Sequence, residues 1–272
     1  DMMFACAMYP GDGNFLNNVL TEAYEAADRL SGHPCLAIWC GNNESDVAWK
    51  NWGWQKQYGY SAADSSAIAS AYDQLFSDNI PFGISAADPY TPYIHTSPLS
   101  NWGKRENFNH HNMHYWGVWH GEEAIDSFRV NVPRFMTEYG MQSFPSFNSL
   151  TEAFQSDTVS IASPLVASRQ KSYKGNRLLE SYIKSRYQTP ASLEELCYLS
   201  QLMQADAMDI AIRSHRLAAG RCMGTLYWQL NDVWPGASWS TIEHQGIWKA
   251  AHYKLKELYA PVIIIPKQEK DS

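Results

Sequence analysis

Hydrophobic positions along the chain fall into two patterns. Short continuous apolar runs indicate buried strands, and longer stretches have the spacing of amphipathic helices. The helical spacing covers residues 14–30, 62–76 and 247–259 and dominates residues 165–219, where Ser192–Glu195 matches a capping box. The continuous runs, which predict strands, cover residues 2–8, 35–40, 92–95, 113–119, 134–138 and 222–230.

This order of elements predicts the fold class. Strands that alternate with helices, and that are apolar on both faces, indicate parallel βα units and an α/β fold. Six strand candidates are two fewer than a closed (β/α)8 TIM barrel needs. We therefore expect residues 1–265 to form a barrel that is incomplete at its N-terminus, with strands three to eight present. Residues 266–272 are charged and are expected to be a frayed tail or linker.

The composition narrows the classes of partner and cofactor. The 272 residues carry a net charge of −7 without a basic run, which argues against nucleic acid or an anionic membrane as a partner. No apolar stretch reaches the roughly 18 residues that a membrane span requires. The five cysteines lack CxxC spacing, and His110, His111 and His114 have no adjacent acidic or cysteine residue, so we expect neither a metal nor another cofactor.

A carboxylate follows one of the apolar runs at a point where α/β enzymes build their sites. Residues 39–44 (WCGNNE) end a predicted strand in a Gly-Asn-Asn turn and then present Glu44. Parallel folds place catalytic groups at the carboxyl ends of their strands. The alternative is a plain turn in which Glu44 only begins a helix.

A second carboxylate, Glu138, ends the strand predicted over residues 134–138. It follows Glu44 by 94 residues, close to three βα units of roughly 30 residues each, which would place the two groups on strands four and seven of one barrel mouth. Retaining glycoside hydrolysis requires two carboxyl groups about 5 to 5.5 Å apart, one protonated and one ionised. The pair predicts a retaining β-glycosidase, with Arg134 as one cation that could keep the nucleophile ionised. A paired surface carboxylate is the alternative for Glu138.

Aromatic residues supply candidate sugar contacts. The chain has 11 Trp and 16 Tyr but only 10 Phe, and amphipathic rings both fill cores and stack on sugars. Trp228 ends the last strand run and is followed by two polar side chains able to bind hydroxyl groups, although a core Trp before a polar turn is the alternative. The predicted substrate-binding residues are Asn43, Trp39, Trp102, Trp116, His120, Trp228, Asn231 and Asp232.

Six segments, taken in order, resemble the β-mannosidases of glycoside hydrolase family 2. They extend through nearly the whole chain and read DMMFACAMYP, HPCLAIWCGNNES, NWGKRE, MHYWGVWHG, PRFMTEYGMQSFPS and CMGTLYWQLNDVWPGASWS. The resemblance implies that Glu44 is the acid/base and Glu138 the nucleophile. It also implies that Asn43 contacts the sugar 2-hydroxyl and that Trp228 forms the platform beneath the sugar.

The resemblance further implies an activity and a larger protein. The implied activity is removal of terminal, non-reducing β-D-mannose from oligosaccharides by double displacement with retention. Members of the family carry β-sandwich domains before the barrel and β-domains after it, so we expect those domains and the first barrel strands to lie outside this chain. Members occur in lysosomes and in bacterial periplasm or cytoplasm, which leaves the compartment open. The alternatives are another family 2 specificity (β-glucuronidase, β-galactosidase or endo-β-mannosidase) and an inactive carbohydrate-binding fragment.

Overall fold

The computed structural model describes residues 1–266, which form two compact units. Unit 1 comprises residues 1–101 and 111–113, and unit 2 comprises residues 102–110 and the described residues from 114 onward. The helices of unit 1 are α1 (Gly13–Leu30), α2 (Ser45–Asn51), α3 (Trp54–Gln57), α4 (Ala62–Asp73) and α5 (Ile80–Ala87). The strands of unit 1 are β1 (Trp39–Cys40), β2 (Tyr93–Ile94), β3 (Ser100–Asn101) and β4 (Asn112–His114). The last residue of β4, His114, belongs to unit 2. Unit 2 contains β5 (Phe135–Glu138), α6 (Phe147–Phe154), α7 (Pro164–Ser168), α8 (Gly175–Lys184), α9 (Leu193–Leu217) and α10 (Ala250–Leu258).

Helix α1 confirms the first predicted helix and forms one side of the core of unit 1. Asp12 caps it by accepting a hydrogen bond from the backbone N–H of Phe15. Its buried stripe of Leu16, Val19, Ala23 and Ala27 follows the helical repeat and packs in the apolar cluster of the unit. Helix α5 approaches this stripe so closely that a Cβ on Gly83 would lie 3.1 Å from the Cβ of Ala23.

The helix predicted over residues 62–76 is observed, but it continues beyond its predicted end. Ser61 and Asp64 form a reciprocal capping box at the start of α4. A π-helical segment, Gln74–Asn79, then leads into α5. Pro81 has no N–H to offer the preceding turn, and a widened turn is one of the known ways a helix accommodates proline. The sequence pattern did not reveal this continuation.

Parallel pairing confirms the α/β class, although the strands are shorter than predicted. In unit 1, β1 pairs with β2 in parallel, with Trp39 opposite Tyr93. In unit 2, residues 223–228 run beside β5, since the N–H of Met136 bonds to the carbonyl of Gly224 and the N–H of Leu226 bonds to the carbonyl of Met136. The runs 2–8, 113–119 and 222–230 do not form continuous strands of those lengths.

The first apolar run shows why continuous burial was the wrong expectation. Met2 and Phe4 are buried, whereas Met3 is 59% exposed, so only alternate side chains enter the core. The run pairs with the segment after β1 through the N–H of Met2 to Cys40 and the N–H of Asn43 to Phe4. An extended segment sends successive side chains to opposite faces, and only one face is covered by the core of unit 1.

Helix α9, with 25 residues, packs against several other elements of unit 2. Ser192 caps it by accepting from the N–H of Glu195, but the Glu195 carboxylate bonds to the N–H of Ala191, so half of the predicted capping box is formed. The helix packs on α8 and α10, the latter corresponding to the helix predicted over residues 247–259. Across residues 1–266, no helix is both long and apolar enough to cross a membrane. The tail predicted over residues 266–272 lies, apart from its first residue, outside the described residues.

Candidate active site

Glu44 lies at the junction between the segment that follows β1 and helix α2. Its backbone has φ 61°, in the left-handed region, which costs a non-glycine residue roughly 1 kcal/mol. The backbone N–H of Glu44 bonds to the carbonyl of Ser97 at 2.8 Å, and its own carbonyl accepts from Ala48 in the first turn of α2. The side chain is half-buried, and its Oε2 accepts a hydrogen bond from the thiol of Cys6 at 3.5 Å.

Asn42 holds this turn in place. Its side chain is fully buried and makes four hydrogen bonds. The Oδ1 atom accepts from the N–H of Ser45 at 3.0 Å and from the hydroxyl of Thr96 at 2.7 Å. The Nδ2 atom donates to the hydroxyl of Tyr72 at 3.1 Å and to the carbonyl of His95 at 2.8 Å. One amide therefore satisfies every donor and acceptor it carries, and it ties the residue after Glu44 to Tyr72, His95 and Thr96.

Asn43 differs from its neighbour in that part of its side chain is unsatisfied. Its backbone bridges in parallel to Ala5 on one side and to Ser97 on the other. The Nδ2 atom lies 3.9 Å from the sulfur of Cys6, but the buried Oδ1 has no hydrogen-bond partner among the described residues. A buried amide oxygen without a partner loses its hydration without compensation, so a ligand hydroxyl would be favoured there.

Glu138 ends β5 in unit 2 and is 8% exposed. The indole N–H of Trp116 donates to Oε1 of Glu138 at 2.9 Å. The Nδ1 atom of His114 lies 3.6 Å from Oε2 of the same carboxylate. Arg134, proposed as a cation for this group, is exposed at the opposite end of the strand segment.

Aromatic rings extend from Trp116 within unit 2. The ring of His120 packs edge-on against Trp116 with centroids 5.0 Å apart, and the ring of Tyr173 stacks on His120 at 5.6 Å. Trp239 packs against both Trp116 and His120, at 5.9 and 6.1 Å. The predicted residues Trp116 and His120 are thus in one aromatic cluster with Glu138, together with two rings that were not predicted.

Gly140 brings Trp228 close to the same cluster. A Cβ added to Gly140 would lie 2.2 Å from the carbonyl oxygen of Trp228, 3.1 Å from the Trp239 ring and 3.4 Å from the Trp116 ring. The N–H of Trp228 bonds to the carbonyl of Tyr139, and the Trp228–Gln229 peptide bond is cis. Trp228 is 40% exposed, which leaves ring surface accessible to a ligand.

Trp39 is a core residue, which corrects its prediction as a sugar contact. It is 6% exposed within the apolar cluster of unit 1, and its indole N–H donates to Asp88 at 2.9 Å. The same bond contributes, after those from Thr91, to lowering the pKa of Asp88 to about 2. Because the ring lies within the apolar cluster of unit 1, we leave Trp39 out of the proposed substrate-binding set.

The remaining predicted residues have local roles. Trp102 packs edge-on against Tyr115 at 6.1 Å and is half-buried. Asp232 accepts hydrogen bonds from Ser238 and Ser240, and the exposed Asn231 bridges through its backbone to Ile242. Asp232 therefore orders the turn that follows Trp228.

Sequence reasoning missed the positions that support these groups. Asn42 and Trp239 lie inside segments quoted for the family resemblance and Gln204 lies outside them, but none of the three was predicted as a site residue. Only for Asn42 did the sequence offer a hint, since a buried strand followed by Gly-Asn-Asn requires side chains that bond to the backbone of the turn.

Known proteins are similar to this chain over nearly its whole length. No protein-family model matches it. The β-mannosidase of Bos taurus is 32% identical over 292 residues, which cover 100% of this chain and 33% of the bovine protein. The β-mannosidase B of Neosartorya fischeri is 28% identical, covering 99% of this chain and 32% of the fungal protein. The chain thus spans about a third of the length of the curated relatives it matches.

Solved structures give the same result. A β-D-mannosidase from Dictyoglomus thermophilum matches with a TM-score of 0.80 and 30% identity, over 95% of this chain and 31% of that one. An exo-chitosanase from Amycolatopsis orientalis matches with a TM-score of 0.56 at 14% identity, over 92% of this chain and 28% of that one, which shows a shared fold alone. The chain is thus similar along its entire length to proteins named β-mannosidase, and it shares its fold with a solved structure of that name.

Proposed function

We propose that the protein carrying this chain is a retaining exo-β-mannosidase that hydrolyses terminal, non-reducing β-D-mannose residues of oligosaccharides. The observation that carries the proposal is the 32% identity to a curated β-mannosidase over 100% of the chain. The surroundings of Glu138, a buried carboxylate that accepts a hydrogen bond from the indole of Trp116, support it.

Glu138 is the proposed nucleophile. Its carboxylate attacks the anomeric carbon and forms a covalent glycosyl-enzyme while the bond to the leaving-group oxygen breaks. The N–H of Trp116 is aimed at Oε1 of the carboxylate and so fixes the direction in which the group faces. A hydrogen bond of this kind orients an ionised group at small entropic cost during the reaction.

Glu44 is the proposed acid/base. As an acid it transfers its proton to the departing oxygen, and as a base it removes a proton from the water that hydrolyses the intermediate. The hydrogen bonds of Asn42 to the N–H of Ser45 and to the carbonyl of His95 hold the turn at Glu44 and support such a role, because a proton donor must be held within hydrogen-bond reach of the leaving group.

The sugar contacts follow the same assignment. The partnerless Oδ1 of Asn43 is suited to accept from the sugar 2-hydroxyl, and the accessible ring of Trp228 is suited to stack beneath the sugar. We retain Trp102, Trp116, His120, Asn231 and Asp232 as proposed contacts or supports. The parallel pairs in both units support an incomplete (β/α)8 barrel over residues 1–265 as the scaffold.

Substitution of the two carboxylates in the complete protein tests the roles. Glu138→Ala should abolish turnover of every substrate. Glu44→Ala should lose most activity on natural oligosaccharides but retain it on aryl mannosides with good leaving groups, and azide should restore turnover as a β-mannosyl azide. Glu106→Ala, an exposed carboxylate on a surface turn, is the matched control and should behave as the wild type. Unchanged activity in Glu138→Ala would place the nucleophile elsewhere.

Specificity and stereochemistry need separate measurements. A panel of aryl β-glycosides should give the highest kcat/KM for the mannoside, whereas a preference for galactoside or glucuronide would replace the proposed substrate. The first sugar released should be the β-anomer by NMR, because two inverting steps restore the configuration. Initial release of the α-anomer would rule out double displacement. A protein that binds sugars and hydrolyses none of the panel would instead be the inactive carbohydrate-binding form.

A further inference from the structure

We propose that Gln204, a buried residue of helix α9, is a positioning residue for the nucleophile Glu138 and its aromatic neighbours. The inference rests on the proposed function of Glu138. Gln204 is 1% exposed and lies within helix α9 of unit 2. Neither the sequence motifs nor the comparisons assign it a role.

The side-chain amide of Gln204 joins two segments that are distant in sequence. Its Nε2 donates to the carbonyl of Met141 at 2.8 Å and to the carbonyls of Trp239 and Ser240, both at 3.1 Å. Its Oε1 accepts from the hydroxyl of Ser143 at 2.8 Å. Two N–H groups are thus shared among three carbonyls, and the bond from Ser143 fixes which way the amide faces.

Each segment carries part of the site. Met141 follows Glu138 by three residues in the same extended stretch. Trp239 packs against Trp116, which is the donor to Glu138, and its ring lies beside Gly140. Movement of either segment therefore changes the environment of the Glu138 carboxylate.

The two segments are also linked by a pair of backbone hydrogen bonds between Ser143 and Ser238. Ser238 is the residue just before Trp239, and the carbonyl of Trp239, which Gln204 binds, also accepts from the N–H of Gln229 at 3.2 Å. Buried carbonyls that lose their donor must find another or move toward water, because an unsatisfied buried group costs about 1–3 kcal/mol. The amide therefore adds three bonds to those that hold the segment of Trp239 and Ser240 beside that of Met141.

Steady-state kinetics of Gln204→Met in the complete protein test the proposal. Methionine has a similar length and no hydrogen-bonding amide. Active molecules are counted by trapping with a 2-deoxy-2-fluoro-β-D-mannosyl fluoride, and kcat is expressed per trapped site. A variant that is only less stable has fewer active sites, but its kcat per site is unchanged. We expect kcat per site to fall about tenfold or more, since small misplacement of reacting groups is costly. KM should change less, because the effect falls on the reacting carboxylate.

The control is Ile212→Ala on the same helix. Ile212 is fully buried and apolar, so its truncation destabilises the unit without removing a bond to either segment. Its kcat per site should equal that of the wild type. An unchanged kcat per site in Gln204→Met would overturn the proposal.

A second variant covers the case in which Gln204→Met does not fold. Ser143→Ala removes only the hydroxyl that orients the amide, and we expect kcat per site to fall about threefold. An unchanged value there would overturn the proposal. The ratio of kcat per site between variant and wild type is measured on the glycoside that the wild type hydrolyses best, and sites are counted with the matching 2-fluoro sugar. If the preferred sugar is not mannose, the wild type shows it, and the ratio can still be measured. A wild type without glycosidase turnover would overturn both proposals.

Discussion

The indole N–H of Trp116 donates a 2.9 Å hydrogen bond to Oε1 of Glu138, and both side chains are buried. The two residues lie 22 positions apart, Trp116 just after β4 and Glu138 at the end of β5, where the N–H of Tyr115 bonds to the carbonyl of Glu138. Backbone pairing therefore sets the distance between the two side chains. A neutral donor orients the carboxylate without neutralising it, as a nucleophile requires.

Trp116→Phe should reduce kcat in the complete protein by about 10- to 100-fold. The substitution keeps most of the apolar ring and removes the N–H, and a hydrogen bond to a charged group contributes roughly 1.5–3 kcal/mol. Trp248→Phe is the matched control, because Trp248 packs on His252 and Tyr253. Equal kcat for the two variants would show that the bond does not contribute to catalysis.

Asn42→Ala should imitate the loss of the acid/base. Without four buried hydrogen bonds the left-handed turn at Glu44 loses its support. We expect kcat/KM for mannosides with poor leaving groups to fall at least tenfold more than for activated aryl mannosides. Asn51→Ala removes a single bond to the carbonyl of Val47 from an exposed asparagine and serves as the control. An equal loss on both substrate classes would count against a role through Glu44.

Gly140→Ala should lower the free energy of unfolding by about 2 kcal/mol or more and reduce activity. The added methyl group would meet the carbonyl oxygen of Trp228 at 2.2 Å, so the backbone must shift in a packed region. Gly32→Ala is the control, since a Cβ there meets nothing within 4 Å and the change should stay within about 0.5 kcal/mol. Urea unfolding followed by tryptophan fluorescence measures both, and equal stability of the two variants would contradict the close approach.

His215 predicts a loss of stability in acid. Burial lowers the pKa of His215 from 6.5 to about 3, while its Nδ1 lies 2.8 Å from the hydroxyl of Thr225. Between these values the unfolded chain binds a proton that the folded chain does not, so stability is lost as the pH falls below about 6.5. The free energy of unfolding should fall more steeply in the wild type than in His215→Phe, by up to about 1.4 kcal/mol per pH unit.

Unfolding curves at pH 8, 7, 6 and 5 check this. At pH 7 and 8 the imidazole is mostly neutral in both states, so the difference between wild type and variant should stay nearly constant there. Parallel curves from pH 7 to pH 5 would show that His215 takes up its proton in the folded state as readily as in the unfolded chain.

The sequence by itself determined the elements whose causes are local. The periodicity of α1, the capping serines of α4 and α9, and the strand that ends at Glu138 are all set by residues within a few positions of one another. The turn that presents Glu44 was visible in the sequence, but its support comes from distant residues such as Tyr72 and Thr96. Quoted motifs in order were enough to indicate the β-mannosidase family, which the comparisons confirm.

Only the tertiary structure decided which aromatic residues serve the core and which serve the site. Trp39 and Trp116 lie in similar apolar runs, yet one donates its N–H to Asp88 inside the apolar cluster and the other donates to Glu138. Gln204 resembles any other polar position of a long helix until the fold brings it against residues 35 to 63 positions away. Periodicity records which face of an element is buried, but the partner of a buried polar group is set by contacts between distant segments, which no local pattern encodes.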